Sequence, residues 1–154
     1  MWNLTQRMLA LMMASLAEHS ASGLYNGPLE AVWMGLCVAP TPPFSSLSVM
    51  ADITEASYPG YARQELVWYP TYIDTNGNQI MQANALFFRP TGPASANNIT
   101  GMFLADAISG GNLLGGQMIG GMGYPLPDVS SVLAVMPNFQ LPFSPIYGGA
   151  FILP

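Results

Sequence analysis

The chain reads as a mainly β protein: an antiparallel β-sandwich or small barrel with one N-terminal α-helix and a proline- and aromatic-rich C-terminal extension. Three observations predict this. Beyond residue 23 the apolar residues come in short segments punctuated by proline and glycine, the pattern of a sandwich or barrel. Within 62–68 the residues alternate, with Arg63, Glu65 and Val67 on one face and Ala62, Gln64, Leu66 and Trp68 on the other. The run Asp74-Thr75-Asn76-Gly77-Asn78 contains Asn-Gly, which accepts the positive φ angles of a tight hairpin turn. Residues 1–23 form a helical arm and residues 24–154 a single β domain on this reading.

In chain order, Asn3 suits an N-cap with Gln6 reaching back in a capping box, and Leu9, Met12, Met13 and Leu16 then share one helix face. Gly23 ends the helix. The run Met8–Ala17 follows Arg7 and has the outline of a secretory leader, but is read as retained. It is shorter than the about 20 apolar residues that span a bilayer. Strands are expected over 31–38, 62–68, 79–88, 100–105, 129–136 and 149–153. Pro40, Pro42 and Pro43 make the connection after the first strand extended. Gly-Gly recurs at 110–111, 115–116 and 120–121, which predicts a glycine-kinked strand with tight turns where another backbone approaches closely. The tail 125–154 interleaves six prolines with Phe139, Phe143, Tyr147 and Phe151, giving edge strands and extended loops.

Composition narrows the function. Charged residues make up 7% of the chain, against about 25% in an ordinary soluble domain, while 51% are hydrophobic. A chain so poor in ions hides surface against other subunits, and self-association is expected. A net charge of −5 with three arginines and no lysine opposes nucleic acid, whose phosphates are bound by cations. The lone Cys37 sits in the apolar run 32–38, as a buried thiol does, and excludes an intrachain disulfide.

Catalytic patterns are missing. His19 is the sole histidine, no Gly-x-Ser-x-Gly elbow occurs, and a phosphate loop would need a lysine. The 74–78 run lacks the bidentate glutamate and the length of a calcium loop. No catalytic, cofactor or metal residue is assigned, and no membrane partner. A pair of acidic residues brought together by the fold stays open as glycosidase chemistry, as does a secreted enzyme with a mature start near Glu18.

The segment Asp52-Ile53-Thr54-Glu55-Ala56-Ser57-Tyr58-Pro59-Gly60-Tyr61-Ala62-Arg63-Gln64, with Gly101-Met102-Phe103-Leu104-Ala105-Asp106-Ala107-Ile108-Ser109-Gly110-Gly111-Asn112-Leu113-Leu114 further on, resembles tailed-bacteriophage virion proteins of the capsid-decoration-like or tail-fibre-like kind. The resemblance covers about residues 47–120 and leaves out the arm and the tail. It implies a non-enzymatic capsid decoration (cement) protein on the outer capsid surface, with the major capsid protein and further copies of itself as partners. The alternative is a tail, fibre or baseplate component that binds a host glycan or a neighbouring tail protein. Tyr58, Tyr61, Arg63, Phe139, Phe143 and Tyr147 are the candidate interface residues, since aromatics and arginine supply most energy at subunit contacts. Pro59-Gly60 suits a turn with Gly60 at positive φ, after which Arg63 can pair with Glu65 or with Glu55.

Overall fold

The computed structural model describes residues 3–4, 31–67, 69, 72–73, 75, 79–94, 98–120 and 122–141. Among them run strands β1 (Asn3–Leu4), β2 (Trp33–Val38), β3 (Gln64–Glu65), β4 (Tyr72–Ile73), β5 (Gln79–Gln82), β6 (Leu86–Phe88), β7 (Asn98–Ala105), β8 (Leu113–Met118), β9 (Tyr124–Pro125), β10 (Leu133–Val135) and β11 (Asn138–Leu141). One 3-10 turn, Met50–Asp52, precedes β3. Every strand pair is antiparallel, and the described residues contain no α-helix. The chain is therefore mainly β and antiparallel, as its punctuation predicts. It divides into two compact units, one of Met1–Leu66 with Leu86–Val135 and one of Val67–Ala85 with Met136–Pro154.

The first unit holds the main sheet, ordered β1-β8-β7-β2-β3, with β9 also paired to β7. β2 and β7 run in register from Trp33↔Ala105 to Cys37↔Gly101 before a shift between Cys37 and Val38. Their interior position explains the near-continuous burial of Met34, Gly35, Leu36 and Cys37, since a strand covered on both faces needs no polar alternation. β7 and β8 form a hairpin whose loop contains Gly110 and Gly111, at φ 60 and 73. Asp106 closes that loop by accepting from the Asn112 backbone and side-chain amides at 2.6 and 2.7 Å. β6 and β10 make a second, two-stranded sheet in the same unit.

One row across the main sheet reads Gly35, Phe103, Gly116, Asn3. A Cβ on Gly35 would run into the Phe103 ring and come within 2.9 Å of the Tyr61 hydroxyl; one on Gly116 would run into the Phe44 ring. The glycines are thus the floor on which aromatic rings lie, and the packing partner at Gly116 is a ring where the sequence suggested a backbone. Phe44, Phe103, Cys37, Ala105 and Leu113 form one buried cluster on this floor, flanked by Met50, Ile53 and Met118.

Several boundaries differ from expectation. Asn3 and Leu4 are extended and pair with Gly116 and Gly115, so Leu4 does not open a helix. A side-chain cap contributes only about 1 kcal/mol, which the edge of a formed sheet outweighs. The rest of the expected helix, with His19, lies outside the described residues. The strand expected over 79–88 is two strands, β5 and β6, in different sheets. Asn84 breaks it: its side-chain oxygen accepts from Val67 N at 2.8 Å while its own amide donates to Val67 O at 3.0 Å. The expected 62–68 strand shrinks to β3, and the 129–136 strand to β10 behind an Asp128 turn in which Oδ1 accepts from Ser130 N at 2.8 Å. In the second unit β4 and β5 flank the expected Asn-Gly turn and pair, with β11 on the other side of β5. Trp68 and the expected 149–153 strand lie outside the described residues.

Candidate functional site

Residues 54–56 and β3 both lie along the free edge of β2. Val38 N donates to Thr54 O at 2.8 Å, Ala56 N donates to Leu36 O at 2.9 Å, and Trp33 and Met34 pair with Glu65 and Gln64. The chain between must reverse in a few residues, and Tyr58-Pro59-Gly60-Tyr61 does so. Tyr61 N donates to Tyr58 O at 3.0 Å and Gly60 sits at φ 83, a turn with proline second and glycine third. Thr91 fixes it from outside through its amide, 2.8 Å from Pro59 O.

This turn presents Arg63 to Glu55. Of the two carboxylates open to it in the sequence, the guanidinium takes Glu55, with Nε to Oε1 at 2.8 Å and Nη2 to Oε2 at 2.7 Å. Nη1 donates to the carbonyls of Ala107 and Gly110, both at 2.8 Å, and Nη2 also approaches Met50 Sδ at 3.8 Å. The cation stands 5.1 Å from the Phe103 ring centroid. All five N–H donors of arginine are engaged. The arginine side chain is 3% exposed and that of Glu55 31%.

Tyr61 completes the cluster, its hydroxyl donating to Glu55 Oε1 at 2.8 Å and accepting from Leu36 N at 3.0 Å. Burial, together with the neighbouring Glu55 charge, holds its phenol far above the usual tyrosine range. Tyr58 packs edge-on against it, ring centroids 5.2 Å apart, and Phe88 stacks at 6.4 Å. The Tyr58 hydroxyl is buried and has no hydrogen-bond partner among the described residues, and burial pushes it up to about 12. Hydrogen bonding to Glu55 raises the Arg63 guanidinium further, so the arginine stays cationic at any working pH.

Chemically the arrangement is a clip. One guanidinium ties three segments together: the Met50–Asp52 turn, the strand edge at Glu55 and the β7–β8 loop. With every donor engaged inside the fold, it has none left for an external phosphate or carboxylate. An open depression of about 600 Å³ lies beside it, bounded by Glu55, Ser57, Tyr58, Tyr61, Ile108 and Ser109.

Of the candidate interface residues, the structure brings Tyr58, Tyr61 and Arg63 together. Tyr58 and Arg63 face their own core, and Tyr61 keeps part of its surface open. Phe139 lies in β11 opposite Met81. Phe143 and Tyr147 lie outside the described residues. The sequence did not reveal the partners of Arg63 at Met50, Phe103 and two backbone carbonyls. It also gave no sign of the outward apolar side chains Leu47, Val49, Phe87 and Met122. Compared with family models, curated proteins and solved structures, the chain matches none.

Proposed function

We propose that this chain is a non-enzymatic subunit of a bacteriophage virion, a decoration protein that clamps neighbouring capsomers on the outer capsid surface. The observation that carries the reading is the nature of its surface. Leu47 is 73% exposed, Phe87 61% and Met122 90%, on a chain with only 7% charged residues. Apolar groups stand where a free monomer carries ions. Burying each such side chain contributes about 1.5 to 3 kcal/mol, so a handful repeated by symmetry makes a firm contact.

The placement on a virion comes from the resemblance of residues 47–120. In that setting the main sheet and the β6–β10 sheet are the two layers of a sandwich, and the Arg63 clip stiffens one end of it. The acidic balance suits the outside of a shell and opposes a DNA-facing position. Partners are the major capsid protein and further copies of the chain, with a trimer preferred.

Densitometry of purified particles tests this. A decoration protein appears at a copy number comparable with that of the major shell protein and rebinds shells stripped of it. A copy number typical of tail parts would move the chain to the tail, fibre or baseplate. Absence from particles would end the virion reading.

A further inference from the structure

We propose that β1 is an exchanged strand: Asn3–Leu4 of one copy completes the main sheet of another copy by pairing with Gly115 and Gly116. The inference rests on the reading that the chain self-associates.

Four features of the structure point to this. β1 is the outermost strand of its sheet and pairs with β8 alone, two residues against two glycines. Its seat is bare backbone: Gly115 and Gly116 carry no side chains, and the Phe44 ring fills the space beneath Gly116. A strand arriving from any copy therefore meets the same surface, and main-chain hydrogen bonds supply the contact, as in β-augmentation.

The covalent connection also permits it. Residues 5–32 separate β1 from β2. At about 3.3 Å per extended residue they reach on the order of 90 Å, and even wound wholly into helix they would cover about 40 Å. Either length matches or exceeds the roughly 30 to 40 Å width of a domain this size. A neighbour's edge is thus as reachable as the chain's own. Finally, both Gly115 and Gly116 are buried, so β8 needs a strand beside it whatever its source.

Exchange makes the same bonds between copies as within one, so association costs no native contact and gains the interface that forms around the crossing segments. The occupant is a second copy of this chain and no foreign partner, because the strand and the seat are both built into it.

Chemical cross-linking reads the outcome. Leu4 and Gln117 are diagonal neighbours across the β1–β8 pair, roughly 7 to 8 Å apart between Cα atoms, within the span of a short bis-maleimide. In a Cys37→Ala background, one chain carries both Leu4→Cys and Gln117→Cys and is co-expressed with about a tenfold excess of the cysteine-free chain. Exchange predicts that the adduct joins two chains and falls roughly tenfold relative to expression without the excess, with no intrachain adduct in either case. Co-expression of single-cysteine chains of two tagged sizes should yield an adduct of summed mass on a denaturing gel.

An intrachain adduct that persists under the excess, in a protein that sizes as an oligomer, would overturn exchange while leaving self-association standing. A monomer in solution would remove both. Deleting residues 1–4 should abolish the oligomer with the β circular-dichroism signal retained, and an oligomer that survives the deletion counts against exchange.

Discussion

Removing Arg63 measures whether the clip holds the fold. Arg63→Ala deletes the bidentate pair with Glu55, the two donations to Ala107 and Gly110, and the cation over Phe103. Breaking a buried ion pair by removing one partner costs about 3 to 5 kcal/mol, chiefly because the other charge is left buried. Glu55 is 31% exposed, so water re-solvates part of its carboxylate and the cost moves to about 3 kcal/mol. The orphaned carbonyls of the β7–β8 loop add about 1 kcal/mol. At about 3 °C per kcal/mol for a chain of this length, the total of about 4 kcal/mol should lower Tm by about 12 °C. Thermal unfolding followed by β circular dichroism gives the number, with Arg89→Ala as control, since Arg89 is exposed and its loss should stay within about 0.5 kcal/mol. A cost for Arg63→Ala as small as that of Arg89→Ala would mean that Arg63 is an ordinary surface ion and that the clip argument is wrong.

Gly35→Ala drives a Cβ into the Phe103 ring and to 2.9 Å from the Tyr61 hydroxyl, and overpacking of this kind should cost about 3 kcal/mol by urea unfolding. Gly35→Ala as stable as the parent would show that the rings move aside freely. Burial pushes the Cys37 thiol up from its ordinary 9.0 to about 11, so at pH 8 it should resist a maleimide or a disulfide reagent in the native state and react fully in urea. Prompt native labelling would contradict its place in the core. The folded-state pKa of Cys37 and of Tyr58 is raised, so the unfolded chain loses these protons first as pH rises. Stability is therefore full below about pH 9 and declines between about pH 9 and 12; a flat denaturant midpoint across that range would refute the burial of both groups.

The parts of the fold legible in the sequence are those decided by local chemistry. Interior strand β2 announces itself as an unbroken apolar run, and the two hairpins by Asn-Gly and Gly-Gly. Gly60 takes the positive φ that its place after Pro59 demands. What failed was decided by distant partners. Asn84 separates β5 from β6 because Val67 faces it, and nothing within 79–88 records that partner. Leu4 is extended because an edge lies beside it, a fact about β8 and not about residues 3–6.

The same division explains the site. Charge scarcity drew attention to Arg63, and scarcity carries physical weight: a chain with three cations that buries one of them has given it a role no neutral residue fills. Its two candidate carboxylates were visible, but the choice between them was not. β-alternation sets Arg63 and Glu65 on the same face by sequence, yet the turn at Gly60 carries Glu55 to the guanidinium with both oxygens in line, a bidentate geometry that outweighs mere proximity. The two carbonyls then follow from the glycines of the β7–β8 loop, where positive φ at Gly110 and Gly111 folds the chain tightly and brings the Ala107 and Gly110 carbonyls to the same Nη1. Segments 52–64 and 106–114 are therefore joined through one side chain. Whatever surface this protein offers to a partner, the relative position of those two segments depends on Arg63.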